Sequence, residues 1–133
     1  MAKAEFDVLP PRTEAVAAAI VDAAVKIHKV LGPGLLESVY EGCLCYELTK
    51  RSIPFLRQLD LPVVYDEIRL ETGFRIDVLA DDCVVVELKA VEKITPLYEA
   101  QLLTYLKFSN KRLGFILNFN VPLMKDGIKR FVL

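Results

Sequence analysis

The 133-residue sequence has no tryptophan, a single histidine and no long apolar run. Its three cysteines, Cys43, Cys45 and Cys83, are odd in number and include no C-x-x-C pair, so neither a disulfide framework nor a structural zinc site is expected. No stretch reaches the roughly 20 apolar residues that a membrane helix needs. The start also lacks the basic leader and cleavage pattern of a signal peptide. These absences predict a cytoplasmic protein that does not enter a membrane.

The composition indicates a globular domain, since 53% of the residues are hydrophobic and 26% are charged. The net charge of −1 gives no general attraction for nucleic acid, but the charges are unevenly distributed. Residues 60–92 hold nine acids and three bases, whereas residues 107–133 hold six bases and one acid. An acidic centre could bind a cation and a basic flank could bind phosphate, as in a metal-dependent phosphodiesterase. Ordinary solvated surface charge explains the same asymmetry.

Residues 1–11 read as a flexible leader and residues 12–133 as one domain. Thr13 is the candidate N-cap of a first helix over Ala15–Val30, which Gly32-Pro33-Gly34 ends. A second helix is predicted over Leu36–Lys50. Its evidence is a set of apolar positions that recur at helical spacing, namely Leu36, Val39, Cys43 and Tyr46.

After the second helix the pattern changes to runs of branched and aromatic residues separated by turn residues. Three strands in a meander, a helix that Pro96 opens, and two final strands are predicted. This order gives an α/β fold, with a mixed sheet flanked by helices. The predicted elements are strands Phe55–Tyr65, Ile68–Ala80 and Cys83–Val91, helix Pro96–Ser109, and strands Leu113–Phe119 and Ile128–Leu133.

Two neighbouring strands of this meander carry acids inside apolar runs. Glu87 and Lys89 emerge from one face of the third strand, while Val86 and Leu88 point the other way. Asp77 interrupts the second strand in the same manner. Charged groups are rarely buried unless they are paired or bind a metal, and carboxylates are ligands that Mg²⁺ prefers. From spacing alone, a cross-strand ion pair on a solvated face explains the three residues slightly better than a metal site.

The metal site has a geometric condition. A strict two-residue turn at Asp81-Asp82 would place Asp77 opposite Val86 and away from Glu87. The hypothesis therefore requires a three-residue loop or a bulge between the two strands.

Polar clusters also recur on the helices. Glu37, Tyr40 and Glu41 share one face of the second helix, and Gln101 and Tyr105 share one face of the later helix. Taken alone, each cluster is better explained by solvated surface.

The ordered set of these motifs resembles the GxxExxY protein family, a branch of the PD-(D/E)XK nuclease superfamily. The resemblance extends from about Thr13 to Leu133, and Ile76 stands where the superfamily name has proline. The motifs are G-x-x-E-x-x-Y at residues 34–40, Asp77, Glu87-Leu88-Lys89, the segment 99–106, Asn118-Phe119 and the segment 125–130.

The resemblance implies a restriction-endonuclease-like core, with an antiparallel three-strand meander within the mixed sheet. It implies that Asp77 and Glu87 bind Mg²⁺ or Mn²⁺, and that Lys89 is the catalytic lysine. Glu37 matches the acid of the first conserved helix, a further ligand or a contact through water, and Gln101 matches a polar position near the site. The supporting candidates are Tyr40, Glu41 and Tyr105.

These observations give two alternatives. The first is a metal-dependent nuclease that hydrolyses phosphodiester bonds of DNA or RNA. The second is a catalytically silent module that binds nucleic acid or assembles with protein while it retains the nuclease fold. Because so short a chain offers little surface to a duplex, a homodimer is also expected.

Overall fold

The computed structural model describes residues 8–133, so residues 1–7 of the predicted leader lie outside the described residues. Helix α1 spans Pro11–Leu31, four residues earlier than its predicted start. Thr13 is buried within the helix, and Pro10 occupies the N-cap, so the predicted Thr13 cap is wrong. Proline at the first helical position gives up no intrahelical hydrogen bond, because that N–H has no partner in any helix. Leu9 is also buried, so the core begins before residue 12.

Helix α2 spans Glu37–Lys50, close to its predicted bounds. The recurring apolar positions that predicted it do not form its buried face, however. Tyr40, Leu44 and Leu48 are fully buried, whereas Leu36 and Tyr46 are mostly exposed.

Five strands form one mixed sheet in the order β1-β2-β3-β4-β5. The first three pair antiparallel, β4 runs parallel to β3, and β5 is antiparallel to β4. Helix α3 (Pro96–Ser109) makes the crossover that the parallel pair requires. The strands are β1 Phe55–Tyr65, β2 Ile68–Ala80, β3 Val84–Lys89, β4 Leu113–Asn118 and β5 Ile128–Val132, with a short 3₁₀ helix at Met124–Gly127.

The two faces of the sheet have separate cores. Val86 and Leu88 belong to the core formed with α1 and α2, while Val85 belongs to the core formed with α3. This alternation along β3 is the predicted one. The architecture confirms an α/β, restriction-endonuclease-like fold. Within residues 8–133, none of the helices has the length and apolar character needed to cross a membrane.

Candidate active site

The loop between β2 and β3 meets the condition that the metal-site hypothesis set. Ala80 pairs with Val84 and Val78 pairs with Val86, so three residues, Asp81 to Cys83, connect the strands. Asp81 and Asp82 adopt left-handed backbone conformations, with φ of 51° and 54°. One step beyond the Val78–Val86 pair, this register brings Asp77 opposite Glu87.

Side chains replace the backbone ladder where these two acids meet. The Asp77 N–H donates to Glu87 Oε2 at 2.9 Å. In return, the Leu88 N–H donates to Asp77 Oδ2 at 3.0 Å. Each carboxylate therefore holds the backbone of the opposite strand, and the two acids cannot turn away from one another without losing a hydrogen bond.

Glu87 is buried and Asp77 is half-buried, and within residues 8–133 neither carboxylate forms an ion pair with a lysine or arginine. Glu87 is only 5% exposed. Burial and the neighbouring Asp77 raise the pKa of Glu87 to about 8. Burial also raises the pKa of Asp77, and the nearby charge of Glu41 adds to that effect. The site thus combines negative charge with low solvation, which is how perturbed acids at functional sites arise.

Lys89 does not form the surface ion pair that was the alternative explanation. Among the ion pairs of residues 8–133, none joins Lys89 to Asp77 or Glu87. Its ammonium instead lies 4.5 Å from the ring centroid of Tyr98 on α3, a cation–π contact. Its charge still lowers the pKa of both carboxyls, but less than burial raises them.

Helix α2 contributes Glu41 to the site through a polar bridge. The Glu41 carboxylate accepts two hydrogen bonds from Arg57, at 2.9 and 3.0 Å. Gln58 Nε2 donates to Glu41 Oε1 at 2.7 Å and to Asp77 Oδ1 at 3.3 Å. Gln58 has a φ of 48°, which is uncommon for a residue other than glycine. This backbone conformation accompanies a side chain that links two acids from different elements.

The other predicted residues of α2 have different surroundings. Glu37 is exposed at the first position of the helix, and within residues 8–133 no ion pair or hydrogen bond connects it with the strand acids. Tyr40 is buried and stacks on Phe119, with ring centroids 4.3 Å apart. Its hydroxyl donates to Gly32 O and accepts from the Leu35 N–H, so Tyr40 fixes the α1–α2 turn.

Helix α3 places two tyrosines near the site, whereas the glutamine that was predicted to contribute is exposed. Burial raises the pKa of Tyr105, and the charges of Glu87 and Asp77 raise it further, which places this phenol near both acids. Tyr105 and Tyr98 lie seven residues apart and therefore share one helix face. Gln101 lies between them but is exposed.

Asn118 was part of a motif in the sequence, but no role was predicted for it. It is the last residue of β4 and only 3% exposed, and its side chain hydrogen-bonds to the segment that follows Lys89. Its Oδ1 accepts from the Val91 N–H at 3.1 Å, and its Nδ2 donates to Val91 O at 3.0 Å. The neighbouring Phe119 N–H donates to Lys89 O at 3.0 Å. Together these bonds fix the backbone from which Lys89 extends.

The donor set of the site fits a hard divalent cation. Asp77 and Glu87 offer carboxylate oxygens on adjacent strands, and among the described residues no lysine or arginine pairs with either of them. Over the part of the chain that the structure describes, no group of three or more His, Cys, Asp or Glu residues is arranged to hold a metal. Mg²⁺ commonly takes one or two carboxylates and completes its shell with water and substrate phosphate. Two strand carboxylates are therefore a sufficient protein contribution.

Among the comparisons with known proteins, the one with protein families gives a match. A family model described as the PD-(D/E)XK nuclease superfamily matches residues 14–131, nearly the whole chain. The match identifies the superfamily and leaves the GxxExxY branch a prediction. No match is found among curated proteins or among solved structures.

Proposed function

Since the chain belongs to the PD-(D/E)XK nuclease superfamily, we propose that it is a metal-dependent nuclease that hydrolyses phosphodiester bonds of DNA or RNA. Two hydrogen bonds carry this proposal, one from the Asp77 N–H to the Glu87 carboxylate and one from the Leu88 N–H to the Asp77 carboxylate. They hold the buried Glu87 carboxylate and the half-buried Asp77 carboxylate side by side on adjacent strands. A solvent-exposed ion pair does not require carboxylates that are held by backbone N–H groups in this way.

In the proposed mechanism, Asp77 and Glu87 hold Mg²⁺ or Mn²⁺. When bound, the ion supplies Lewis-acid polarisation of the scissile phosphate and lowers the pKa of a water molecule. Lys89 contributes a positive charge that stabilises the extra negative charge developing on the phosphate oxygens. Its ammonium lies over the face of Tyr98, and reaching a phosphate would require it to turn away from that ring. The Gln58 amide holds Asp77 in place through its bridge to Glu41.

The contacts favour Glu41 over Glu37 as the acid through which α2 acts. Glu41 is buried and bonded to Gln58, whereas the resemblance alone assigns Glu37 and Gln101. Separate Glu41→Gln and Glu37→Gln variants decide between the two acids. We expect metal-dependent cleavage to fall further in the Glu41 variant.

Cleavage of nucleic acid by purified protein tests the proposal. Single-stranded DNA, duplex DNA and RNA are incubated with the protein and Mg²⁺ or Mn²⁺. Asp77→Asn, Glu87→Gln and Lys89→Met should each lower the rate by roughly 100-fold or more, as expected for loss of a group that stabilises the transition state. Asp82→Asn and Lys93→Met are matched controls, since both residues are exposed, and they should cleave like the wild type.

Two results would overturn the nuclease proposal. One is an inactive wild type across all substrates and both metals. The other is equal cleavage by the wild type and the three site variants, which would indicate a contaminating enzyme.

The net charge of −1 favours one second candidate, a binding or assembly module without turnover. A calorimetric titration with Mg²⁺ and Mn²⁺ separates the two functions. Binding that is lost in Asp77→Asn supports the nuclease, and absence of binding at millimolar metal supports the module. Cytoplasmic location remains a proposal from the sequence.

A further inference from the structure

Helix α2 presents an apolar stripe to solvent. Leu36, Val39, Cys43 and Tyr46 recur at alternating intervals of three and four residues, and this set is called the α2 stripe below. Leu36 is 73% exposed and Tyr46 is 64% exposed. Such spacing is the seam of a helix that packs lengthwise against another helix. Within the described chain, Cys43 is half-buried and packs partly against the core, but the fully buried residues of α2 lie on a different face, namely Tyr40, Leu44 and Leu48.

Neighbouring apolar residues enlarge the α2 stripe into a patch. Val30 and Leu31 at the end of α1 line a groove of about 280 Å³ together with Cys43 and Tyr46. Leu35, between the helices, is also exposed. The exposed area of the patch is on the order of 600 Å², which approaches the roughly 800 Å² that each partner buries in an interface of standard size. An exposed apolar patch of this extent is a feature of interaction surfaces.

Gly42 supplies an independent reason to expect a second helix here. It lies in the interior of α2 beside the stripe, where glycine weakens a helix relative to alanine. Its backbone is not in the left-handed region, and a Cβ added to it would meet nothing within 4 Å. Nothing within the described chain therefore requires glycine at this position. A glycine beside an apolar seam allows another backbone to approach closely.

We propose that the chain forms a two-fold symmetric dimer in which the α2 stripes of two copies pack antiparallel, with Cys43 near the symmetry axis. A two-fold interface uses the same patch on both copies, so the patch must be complementary to itself. Cys43 lies midway between Leu36 and Lys50, seven residues from each. Antiparallel packing brings the acidic start of one helix, at Glu37, to the same end as the basic Lys50 of the other copy. It also opposes the two helix dipoles.

The dimer does not depend on the nuclease proposal. Asp77, Glu87 and Lys89 belong to the sheet, and none of them is part of the α2 stripe. Light scattering and cross-linking measure the association without any reference to cleavage. An inactive protein can therefore confirm the dimer, and an active monomer can refute it.

Mass measurement by size-exclusion chromatography with light scattering is the first test. The wild type should elute with twice the mass of one chain at tens of micromolar, and Tyr46→Glu should shift the dissociation constant by at least 10-fold towards the monomer. An acid at position 46 lies four residues before Lys50, an order that favours the helix, so the fold is retained. Leu97→Glu is the matched control, because Leu97 is 75% exposed on α3 and should leave the dimer unchanged.

Cross-linking locates the interface. A short bis-maleimide should join two wild-type chains through Cys43, and Cys43→Ser should abolish the product while Cys83→Ser retains it. Gly42→Leu should weaken the dimer by at least 10-fold while the circular dichroism spectrum stays native. A monomeric wild type, cross-linking through Cys83, or a dimer that persists unchanged in Tyr46→Glu and Gly42→Leu would overturn the proposal. A monomer would leave the patch to a different protein.

Discussion

Replacing Glu87 with glutamine should stabilise the metal-free protein at neutral pH. Burial and the charge of Asp77 raise the pKa of Glu87 from 4.5 to about 8 in the folded state. A folded-state pKa above the unfolded value means that folding favours the protonated acid. The contribution of Glu87 to stability is therefore fully present below pH 4.5 and is lost as the pH rises towards about 8.

The size of this effect follows from the same shift. At pH 7 Glu87 is still largely protonated in the folded state. In the unfolded chain it is ionised, because pH 7 lies roughly 2.5 units above its unfolded pKa. At about 1.4 kcal/mol per unit, the penalty has an upper limit of about 3.5 kcal/mol. Because Asp77 shares the titration, the expected gain in Glu87→Gln is about 1–3 kcal/mol.

Urea unfolding in the presence of a chelator measures this gain at pH 7 and at pH 4.5. Glutamine is nearly isosteric and keeps an oxygen to accept the Asp77 N–H, so the variant removes charge and little else. The gain should fall to a few tenths of a kcal/mol at pH 4.5, where the folded wild type is protonated. Glu92→Gln, at an exposed position, is the control and should change stability at neither pH.

A loss of stability in Glu87→Gln would contradict this prediction. If Glu87 stabilised the fold through an ion pair with Lys89, its replacement would lower the free energy of unfolding at pH 7. A loss of stability at pH 7, or an equal gain at both pH values, would mean that burial beside Asp77 does not destabilise the ionised form of Glu87.

Three further variants test the supports of the site. Gln58→Gly removes the bridge between Glu41 and Asp77, and calorimetry should show Mn²⁺ affinity falling by about 10-fold, as for other groups that orient metal ligands; unchanged affinity would contradict the bridge. Asn118→Ala removes the side-chain partners of the half-buried Val91 backbone, and urea unfolding should show a loss of about 1–3 kcal/mol, with exposed Asn120→Ala as its control. Gly127→Ala would press a methyl group against the Asn118 carbonyl oxygen, and a loss of about 1–3 kcal/mol is expected. A native-like melting temperature in either variant would contradict the contact concerned.

The sequence predicted most elements because local rules and tertiary packing agree in them. Strands Phe55–Tyr65 and Ile68–Ala80, and helix Pro96–Ser109, have their predicted bounds. The proline at the first position of α3 is the helix start that its chemistry favours. The three-residue loop at Asp81 was predicted only because the metal site requires Asp77 and Glu87 to converge. No local pattern distinguishes this loop from a two-residue turn.

The buried face of α2 could not be predicted from spacing, because this helix has apolar residues on more than one side. The regular series from Leu36 to Tyr46 marked the helix correctly but lies outward. The inward face instead includes the polar groups of Tyr40 and Glu41, which are satisfied by Gly32 and Arg57. Such partners exist only after the chain has folded, so periodicity gives no sign of them.

The bridge from Gln58 to Asp77 has the same origin. Simple alternation along β1 sends Arg57 and Gln58 to opposite faces of the sheet, yet both donate to Glu41. The left-handed backbone conformation at Gln58 turns its side chain to the same face as Arg57. This conformation occurs where β1 pairs with β2, so it cannot be predicted from β1 alone. The acids on β2 and β3 were found because an acid inside an apolar strand is conspicuous, whereas a glutamine beside an arginine is not.

The most direct test of the account is an anomalous difference map from a crystal of the protein grown with Mn²⁺. One strong peak is expected between the carboxylates of Asp77 and Glu87, with oxygen ligands at about 2.0–2.2 Å, as expected for a small hard divalent ion. A well-ordered site without a peak at millimolar Mn²⁺, or a peak bound elsewhere, would contradict it.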